Sequence, residues 1–435
     1  MNRIAVRKEN KSRFERRAPL SPEHVKMAIE NLHLDIGIEN SEIRIFKNEE
    51  YLTAGARLIT DPADADIILG VKEVAIEHLA AEKTYVFFSH VIKGQSHNMP
   101  MLKRLMELQC TLIDYEKIAD SDGRRLVFFG FHAGLAGMID SLWILGRKLS
   151  QSGIKSPLSR IKQAFEYESL AEACQEIKQA GLEMAAMGLP EQMTPFVVGF
   201  AGYGNVSRGA QYVFEHLPFV EVSPDELPGL FAKGAPVRND RMYKVVFREE
   251  HMARRRGGGA FSLQEYYDFP ERYTRDFDRF VPTLSLLINA IYGEHRYPRL
   301  ITRKTLQELH ASQQLRLQVI GDVTCDIDGS VEMTTEATDQ LEPILLYNPV
   351  DDSVVRTKDG DGVAILAVDN LPCELPRDST RHFGESLEPF LVDLANLDRS
   401  QSFGNVTLRS ELKKAVILWN GDLTPDYQYL RECIA

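Results

Sequence analysis

The stretch from Thr194-Pro195-Phe196-Val197-Val198-Gly199-Phe200 into Ala201-Gly202-Tyr203-Gly204-Asn205-Val206-Ser207-Arg208-Gly209-Ala210 constrains the fold more than any other part of this chain. Its uncharged, apolar start reads as a buried strand, and the residues after the glycines, to about His216, read as a helix. Strand, glycine turn and helix, in that order, is the context of a dinucleotide-binding βα unit. There glycines let the chain turn tightly and let backbone N–H groups approach a pyrophosphate at a helix N-terminus. Gly202, Gly204, Asn205, Val206 and Ser207 are the residues expected at the phosphates. The third glycine of the usual pattern is Ser207 here, with Gly209 two residues later. A glycine-rich βα turn without a ligand fits the same residues.

The first ~140 residues alternate strand-like and helix-like segments, which argues a parallel, doubly wound α/β sheet. Ile4–Val6, Glu42–Phe46, Ile67–Leu69, Tyr85–Phe88, Thr111–Ile113 and Leu126–Phe129 read as strands. Pro22–Glu30 reads as a helix with Ser21 at its N-cap and Pro22 in its first position. The apolar stretch Leu126–Gly146 carries His132, Gly134, Gly137 and Asp140, so it reads as a buried strand, a turn and a packed helix rather than a membrane span. Later strands are expected at Leu317–Ile320 and Val363–Val368, and helices near Ser386–Leu394 and Ser410–Leu418. Arg254-Arg255-Arg256-Gly257-Gly258-Gly259 reads as an exposed loop.

At 435 residues the chain is long enough for two or three domains, and 44% hydrophobic with 26% charged residues is an ordinary globular balance. A net charge of −12 argues against a general nucleic-acid binder, which must neutralise phosphates. The five cysteines are widely spaced and show no metal-ligand spacing, so reduced thiols and a cytoplasmic location are expected. The start at Ile4-Ala5-Val6 shows no apolar signal core, and no membrane attachment is expected.

Two polar clusters follow apolar runs: Gly70-Val71-Lys72-Glu73 after Ile67–Leu69, and Ser89-His90-Val91-Ile92-Lys93 after Tyr85–Phe88. Ligands of open α/β sheets bind where such strands give way to loops. Lysine and histidine are readily tuned to exchange protons near neutral pH. Asp322, Asp326 and Asp328 follow another strand, but the position an EF-hand needs as glutamate is Met333. They are read as a strand-end loop beside a cofactor.

These residues carry a resemblance to the lysine–ketoglutarate reductase half of the aminoadipic semialdehyde synthases. The chain is more distantly similar to lysine-forming saccharopine dehydrogenases and alanine dehydrogenases. The stretches that carry it include Glu15–Pro22, Leu69–Lys72, Phe88–Lys93, Ile113–Lys117, Gly123–Arg125, Gly134–Met138, Gly202–Ala210 and Val368–Pro372. The resemblance covers essentially the whole chain, and Ser207 is shared with the reductases.

The resemblance implies two doubly wound Rossmann-like domains with the active site in the interdomain cleft. The substrate domain would span 1–140 and be completed by about 376–435, and the dinucleotide-binding domain would span 141–375. It implies reductive condensation of L-lysine with 2-oxoglutarate to saccharopine. Lys72 and His90 match the acid–base pair. Arg17 and Arg125 match positions that hold the 2-oxoglutarate carboxylates, and Glu73 and Glu116 match positions that receive the lysine amino groups. Lys93 is expected to tune the local potential, and Arg124 to form a structural salt bridge. Asp322 or Asp326 is expected at the nicotinamide or behind the acid–base pair.

On strand order alone, Glu221, with Asp225 and Glu226, lies where an acid would bind a ribose 2′-hydroxyl, which favours NAD. The resemblance favours NADPH, with NADH as the alternative. It also implies that saccharopine oxidation either sits on a separate partner enzyme or is absent. Two other readings remain open: an amino-acid dehydrogenase of the alanine dehydrogenase type, which would not need Glu73 and Glu116, and a non-catalytic nucleotide-binding regulator.

Overall fold

Short apolar runs become the central strands of two separate sheets in the computed structural model, which describes residues 1–434. The chain divides into one unit of Met1–Phe129 with Pro376–Ala435 and a second of Gly130–Leu375.

The first unit runs β1 (Ile4–Val6), α1 (Pro22–Leu32), β2 (Ile36–Glu39), α2 (Asn48–Thr53), β3 (Arg57–Ile59), β4 (Ile67–Leu69), β5 (Thr84–Phe87), α3 (Met99–Glu107) and β6 (Thr111–Asp114). Its parallel strands lie in the order β3-β2-β1-β4-β5-β6. Every residue of β1, β2, β4, β5 and β6 is buried, as expected of strands covered on both faces. Ser21 caps α1 through its hydroxyl, with Pro22 in the first turn.

The expected strand at Glu42–Phe46 is irregular, and the strand is Ile36–Glu39 instead. Arg44 is the physical reason: it folds back so that Nη2 donates to Glu39 O at 2.9 Å, with its guanidinium over Tyr51. Gly37 lies beneath Ile59, whose side chain a Cβ there would meet at 3.0 Å.

Leu126–Phe129 is also not a strand. The segment is held by side chains: the Phe129 ring stacks on Phe383 at 4.6 Å.

The second unit opens with α4 (Gly130–Gln151), the helical part of the apolar stretch. Helix α4 is continuous through residue 140, so the unit boundary falls at its start. Its glycines permit backbone contact. A Cβ on Gly134 would lie 1.9 Å from Val206 O, and one on Gly146 2.3 Å from Leu158 O. No helix among the described residues is long and apolar enough to cross a membrane.

After α5 (Leu170–Met187) come β7 (Val197–Ala201), α6 (Asn205–Phe214), β8 (Phe219–Glu221) and β9 (Met242–Phe247). Next are β10 (Ala253–Arg255), β11 (Tyr273–Arg275), β12 (Leu286–Asn289) and β13 (Val319–Asp322), then β14 (Ile344–Asn348), β15 (Ser353–Arg356) and β16 (Val363–Leu366). The main sheet has the order β8-β9-β7-β12-β13-β16-β14-β15. It is parallel from β8 to β16, with β14 and β15 added antiparallel.

Arg254 and Arg255 lie in β10, paired with β11, and not in a loop. Their charges meet Asp276 and Glu265.

Inside this unit the carboxyl groups of Asp140, on α4, and Glu374 are both buried and act on each other electrostatically, and neither Glu374 oxygen meets a hydrogen-bond donor among the described residues. Asp140 accepts from Ala164 N at 2.7 Å. Two carboxylates cannot both be charged in so dry a place, so the pair holds a proton. Burial, ahead of every other influence, raises Asp140 to about 6 and Glu374 well above its ordinary range.

The chain then completes the first unit. The expected helix at Ser410–Leu418 stops at Ala415, and β17 (Val416–Trp419) pairs antiparallel with β6, followed by β18 (Asp422–Leu423).

Candidate active site

In the first unit, β1 sits at the centre of the sheet, between β2 and β4, so the chain winds outward in both directions from there. Ligands bind beyond the carboxyl ends of strands at such a switch point. The polar residues singled out in the sequence follow those ends: Arg17 after β1, Lys72 and Glu73 after β4, His90 after β5, and Glu116 after β6.

The loop carrying Lys72 is fixed by Glu9, a buried residue that sequence reading missed. Glu9 accepts from Val71 N at 2.8 Å and Lys72 N at 3.1 Å, and pairs with Arg7 at 3.2 Å. Burial lowers the Lys72 ammonium from its usual range, the charges of Arg17 and Lys11 lower it further, and Glu15 and Glu73 oppose them. A lysine disposed this way sheds its proton more readily and can act as a base.

Arg17 is buried, with Nε and Nη2 against Glu15 at 2.7 and 2.5 Å and its guanidinium 4.2 Å over the Phe129 ring. The edge of the fork expected to meet a substrate carboxylate is therefore already engaged by Glu15.

Glu73 bridges two side chains, with Oε1 2.5 Å from His90 Nδ1 and Oε2 3.0 Å from Lys11 Nζ. Burial would raise its carboxyl, but the His90 hydrogen bond and charge, aided by Lys11, hold it at about 2. His90 adopts a left-handed backbone (φ 50°), and its carbonyl accepts from Asn98 Nδ2 at 3.2 Å.

Asp114, at the end of β6, is the second residue sequence reading missed. This buried carboxylate accepts from Ser89 N at 3.1 Å, from the Ser89 hydroxyl, and from Glu116 N at 2.8 Å. One side chain thus ties the turn carrying His90 to the turn carrying Glu116. The signal available was an aspartate closing an apolar run, which reads equally well as an ordinary strand end.

Glu116 forms an ion pair with Arg125. Residues expected to hold opposite substrate groups are therefore paired with each other, at the wall of a 450 Å³ cavity that Tyr429 and Lys414 also line. Lys93 is exposed three residues beyond His90. Arg124 pairs with Asp122 at 3.2 Å, as a structural arginine should.

In the second unit, Gly202 takes φ 97°, and a Cβ there would meet Ile291 at 3.0 Å and Ala290 O at 3.1 Å. Gly204 opens onto free space at the start of α6, whose first turn has no side-chain cap. The backbone N–H groups of Asn205, Val206 and Ser207 therefore start a helix with room for a phosphate before it. Ser207 is buried and its hydroxyl accepts from Gln211. Close packing is supplied by Gly209 instead, where a Cβ would lie 2.0 Å from Phe131 O. A 540 Å³ cavity opens beside the turn, walled by Tyr203, Tyr266, Tyr292 and Ser330. Its size and its glycine cradle fit a dinucleotide.

Glu221 is not at this turn. Strand β9, not β8, lies next to β7, and Glu221 pairs in register with Lys244, itself level with Val198 near the start of β7. The turn is at the opposite end of β7, and the Glu221 carboxylate is engaged by Lys244 Nζ at 3.2 Å. The ribose role expected of Glu221 is therefore withdrawn. The chain inserts its next strand between β8 and β7, which a sequence reading that takes strands in order cannot see. Asp225 and Glu226 follow β8 in a one-turn helix capped by Ser223.

Asp322 is buried and accepts from Asn289 Nδ2 at 2.7 Å, Thr324 Oγ1 at 3.0 Å and Thr334 Oγ1 at 2.5 Å. It locks the ends of β12 and β13. Asp326 accepts from Gly293 N at 3.1 Å and so steadies the loop at the cavity wall.

The chain matches the family described as alanine dehydrogenase/PNT, its N-terminal domain over residues 5–136 and its C-terminal domain over residues 263–426. It is 36% identical to the mouse alpha-aminoadipic semialdehyde synthase, mitochondrial, over 99% of this chain and 47% of that protein. The chain thus spans about half the length of that relative. It is 28% identical to the Neurospora crassa saccharopine dehydrogenase [NAD(+), L-lysine-forming] over 91% of this chain and 92% of that protein. A solved L-alanine dehydrogenase structure superposes with a TM-score of 0.62 at 20% identity, covering 100% of both chains, and so shares the fold.

Proposed function

From the premise that this chain belongs to the alanine dehydrogenase/PNT family, we propose that it is an NADPH-dependent lysine–2-oxoglutarate reductase. The reaction joins the ε-amine of L-lysine to the keto carbon of 2-oxoglutarate. Loss of water gives an imine, and a hydride added to the imine carbon with a proton on nitrogen gives saccharopine. The observation that carries the reading is the group formed by the partly buried Lys72, the Glu73–His90 pair and the Arg17–Glu15 pair beyond β1, β4 and β5. Likeness over 99% of the chain to a protein named for aminoadipic semialdehyde synthesis supports it.

Lys72 takes the proton from the substrate ammonium, because its own ammonium is destabilised by burial and neighbouring cations. His90, oriented by Glu73, gives a proton to the departing hydroxyl. Arg125, on leaving Glu116, and Arg17, on leaving Glu15, hold the 2-oxoglutarate carboxylates. Glu116 receives a lysine amino group in exchange for Arg125, Glu73 receives the other in exchange for Lys11 while keeping His90, and Lys93 adds positive potential. The glycine turn at Gly202–Gly204 and the start of α6 hold the nicotinamide dinucleotide, which supplies the hydride when bound. Asp322 and Asp326 act behind this site by fixing its loops. A separate saccharopine-oxidising enzyme would consume the product.

The test follows absorbance of reduced cofactor with purified protein. NADPH should be consumed only when L-lysine and 2-oxoglutarate are both present, with saccharopine formed. Turnover with pyruvate and ammonia would instead move the chain to an alanine dehydrogenase activity. Nucleotide binding without any turnover would make it a regulator.

A further inference from the structure

The strand order of the second unit changes which residue meets the adenosine ribose. With β9 beside β7, the end of β9 faces the glycine turn: Gly202 N donates to Phe247 O at 2.9 Å. The next residue is Arg248. Its guanidinium lies 5.0 Å over the ring of Tyr203, a residue of the glycine turn. Arg248 is exposed and forms no ion pair with a carboxylate among the described residues.

The three arginines that follow in the chain are engaged elsewhere. Arg254 meets Asp276, Arg255 meets Glu265, and Arg256 Nε donates to Tyr273 O. The acid that follows Arg248 in the chain is engaged as well: the Glu249 carboxylate accepts from Tyr267 Oη at 2.8 Å and Tyr203 Oη at 3.5 Å. The carboxylate that would otherwise bind a ribose 2′-hydroxyl is thus tied to the tyrosine wall, and an unpaired guanidinium stands at the rim.

We infer that Arg248, stacked on Tyr203, is the residue that reads the 2′-phosphate of NADPH and so selects it over NADH. A planar guanidinium braced on a ring can give a dianionic phosphate two parallel N–H bonds, whereas a 2′-hydroxyl offers no charge to it. This inference rests on the dinucleotide reading of the site above.

Direct binding measurements separate the two. NADPH, NADH, 2′,5′-ADP and 5′-AMP are titrated against the wild-type protein and against Arg248→Ala and Arg248→Gln, with folding checked by thermal melting. The wild type should bind 2′,5′-ADP more tightly than 5′-AMP. Each variant should lose at least about tenfold more affinity for NADPH than for NADH. Equal losses for both cofactors, no loss for either, or a wild type that favours 5′-AMP would overturn the role of Arg248. A wild type that binds none of the four nucleotides would overturn the cofactor reading itself. Selective NADPH binding in a protein that does not turn over lysine and 2-oxoglutarate would support Arg248 while overturning the proposed reaction.

Discussion

His90 Nδ1 lies 2.5 Å from Glu73 Oε1, and the same carboxylate reaches Lys11 through its other oxygen at 3.0 Å. A carboxylate held at both oxygens fixes the direction in which the imidazole points. Replacing His90 with Gln keeps a polar side chain and removes the titration. It should slow kcat on the order of 10²-fold or more and remove one limb of the bell-shaped kcat/KM profile. A near-normal rate with an unaltered profile would return His90 to a purely structural part.

Glu73 also makes acid stability testable. Its carboxyl is held at about 2, below the ordinary 4.5, so its contribution is present above the unfolded value and is lost as pH falls through the folded one. Melting between pH 5 and pH 2 should show a fall that Glu73→Gln flattens, on the order of 1–3 kcal/mol. Parallel pH curves for the two proteins would contradict the pairing.

Lys72→Met should lower kcat strongly while leaving the affinity for NADPH near the wild-type value, because the lysine acts in the chemical steps. If the variant bound NADPH poorly and retained its rate, Lys72 would be a ligand of the nucleotide and not a base.

The Asp140–Glu374 pair works in the opposite sense. Its pKa values are raised in the folded state, so the fold is favoured at low pH and loses that advantage as pH rises from about 4 through about 6 and beyond. Glu374→Gln keeps the shape, donates to Asp140 and removes the second acid. Its melting temperature should exceed wild type at pH 8 by about 2–4 °C and converge toward it near pH 4. A gap that does not change with pH would show that the two carboxyls do not share a proton.

Two glycines separate packing from binding. Alanine at Gly209 would put a Cβ 2.0 Å from Phe131 O, so α6 and α4 must part, at about 1–3 kcal/mol. Alanine at Gly204 meets nothing within 4 Å. It should melt like the wild type but bind NADPH at least about tenfold more weakly by filling the phosphate space. Equal melting losses in both variants would refute the distinction.

The sequence made legible whatever depends on neighbours along the chain: the buried runs of β1, β4 and β5, the Ser21 cap and the glycine turn. What depends on distant partners stayed hidden. Glu42–Phe46 alternates like a strand, yet Arg44 is drawn back to Glu39 O. Glu221 sits after the right helix, but β9 comes between its strand and β7. Glu9 and Asp114 carry no local mark of function, because their task is to hold loops that begin 25 to 63 residues away. Lys72, Glu73, His90 and Lys93 stood out by type and position, Arg17, Glu116 and Arg125 were named only through the resemblance, and the pairing of these residues with each other was visible in neither.

The antiparallel closure of β6 by β17 sets a timetable for biosynthesis. Strand β6 leaves the ribosome some three hundred residues before its partner, on the order of tens of seconds at ordinary elongation rates. For that interval the buried strand Thr111–Asp114 has an uncovered edge, the kind of surface that recruits other nascent chains. The second unit, contiguous from Gly130 to Leu375, can be complete before then. A chain released shortly before Val416 would carry a finished nucleotide fold joined to an unfinished sheet, and it would be cleared or aggregate although every residue assigned to catalysis had already been made.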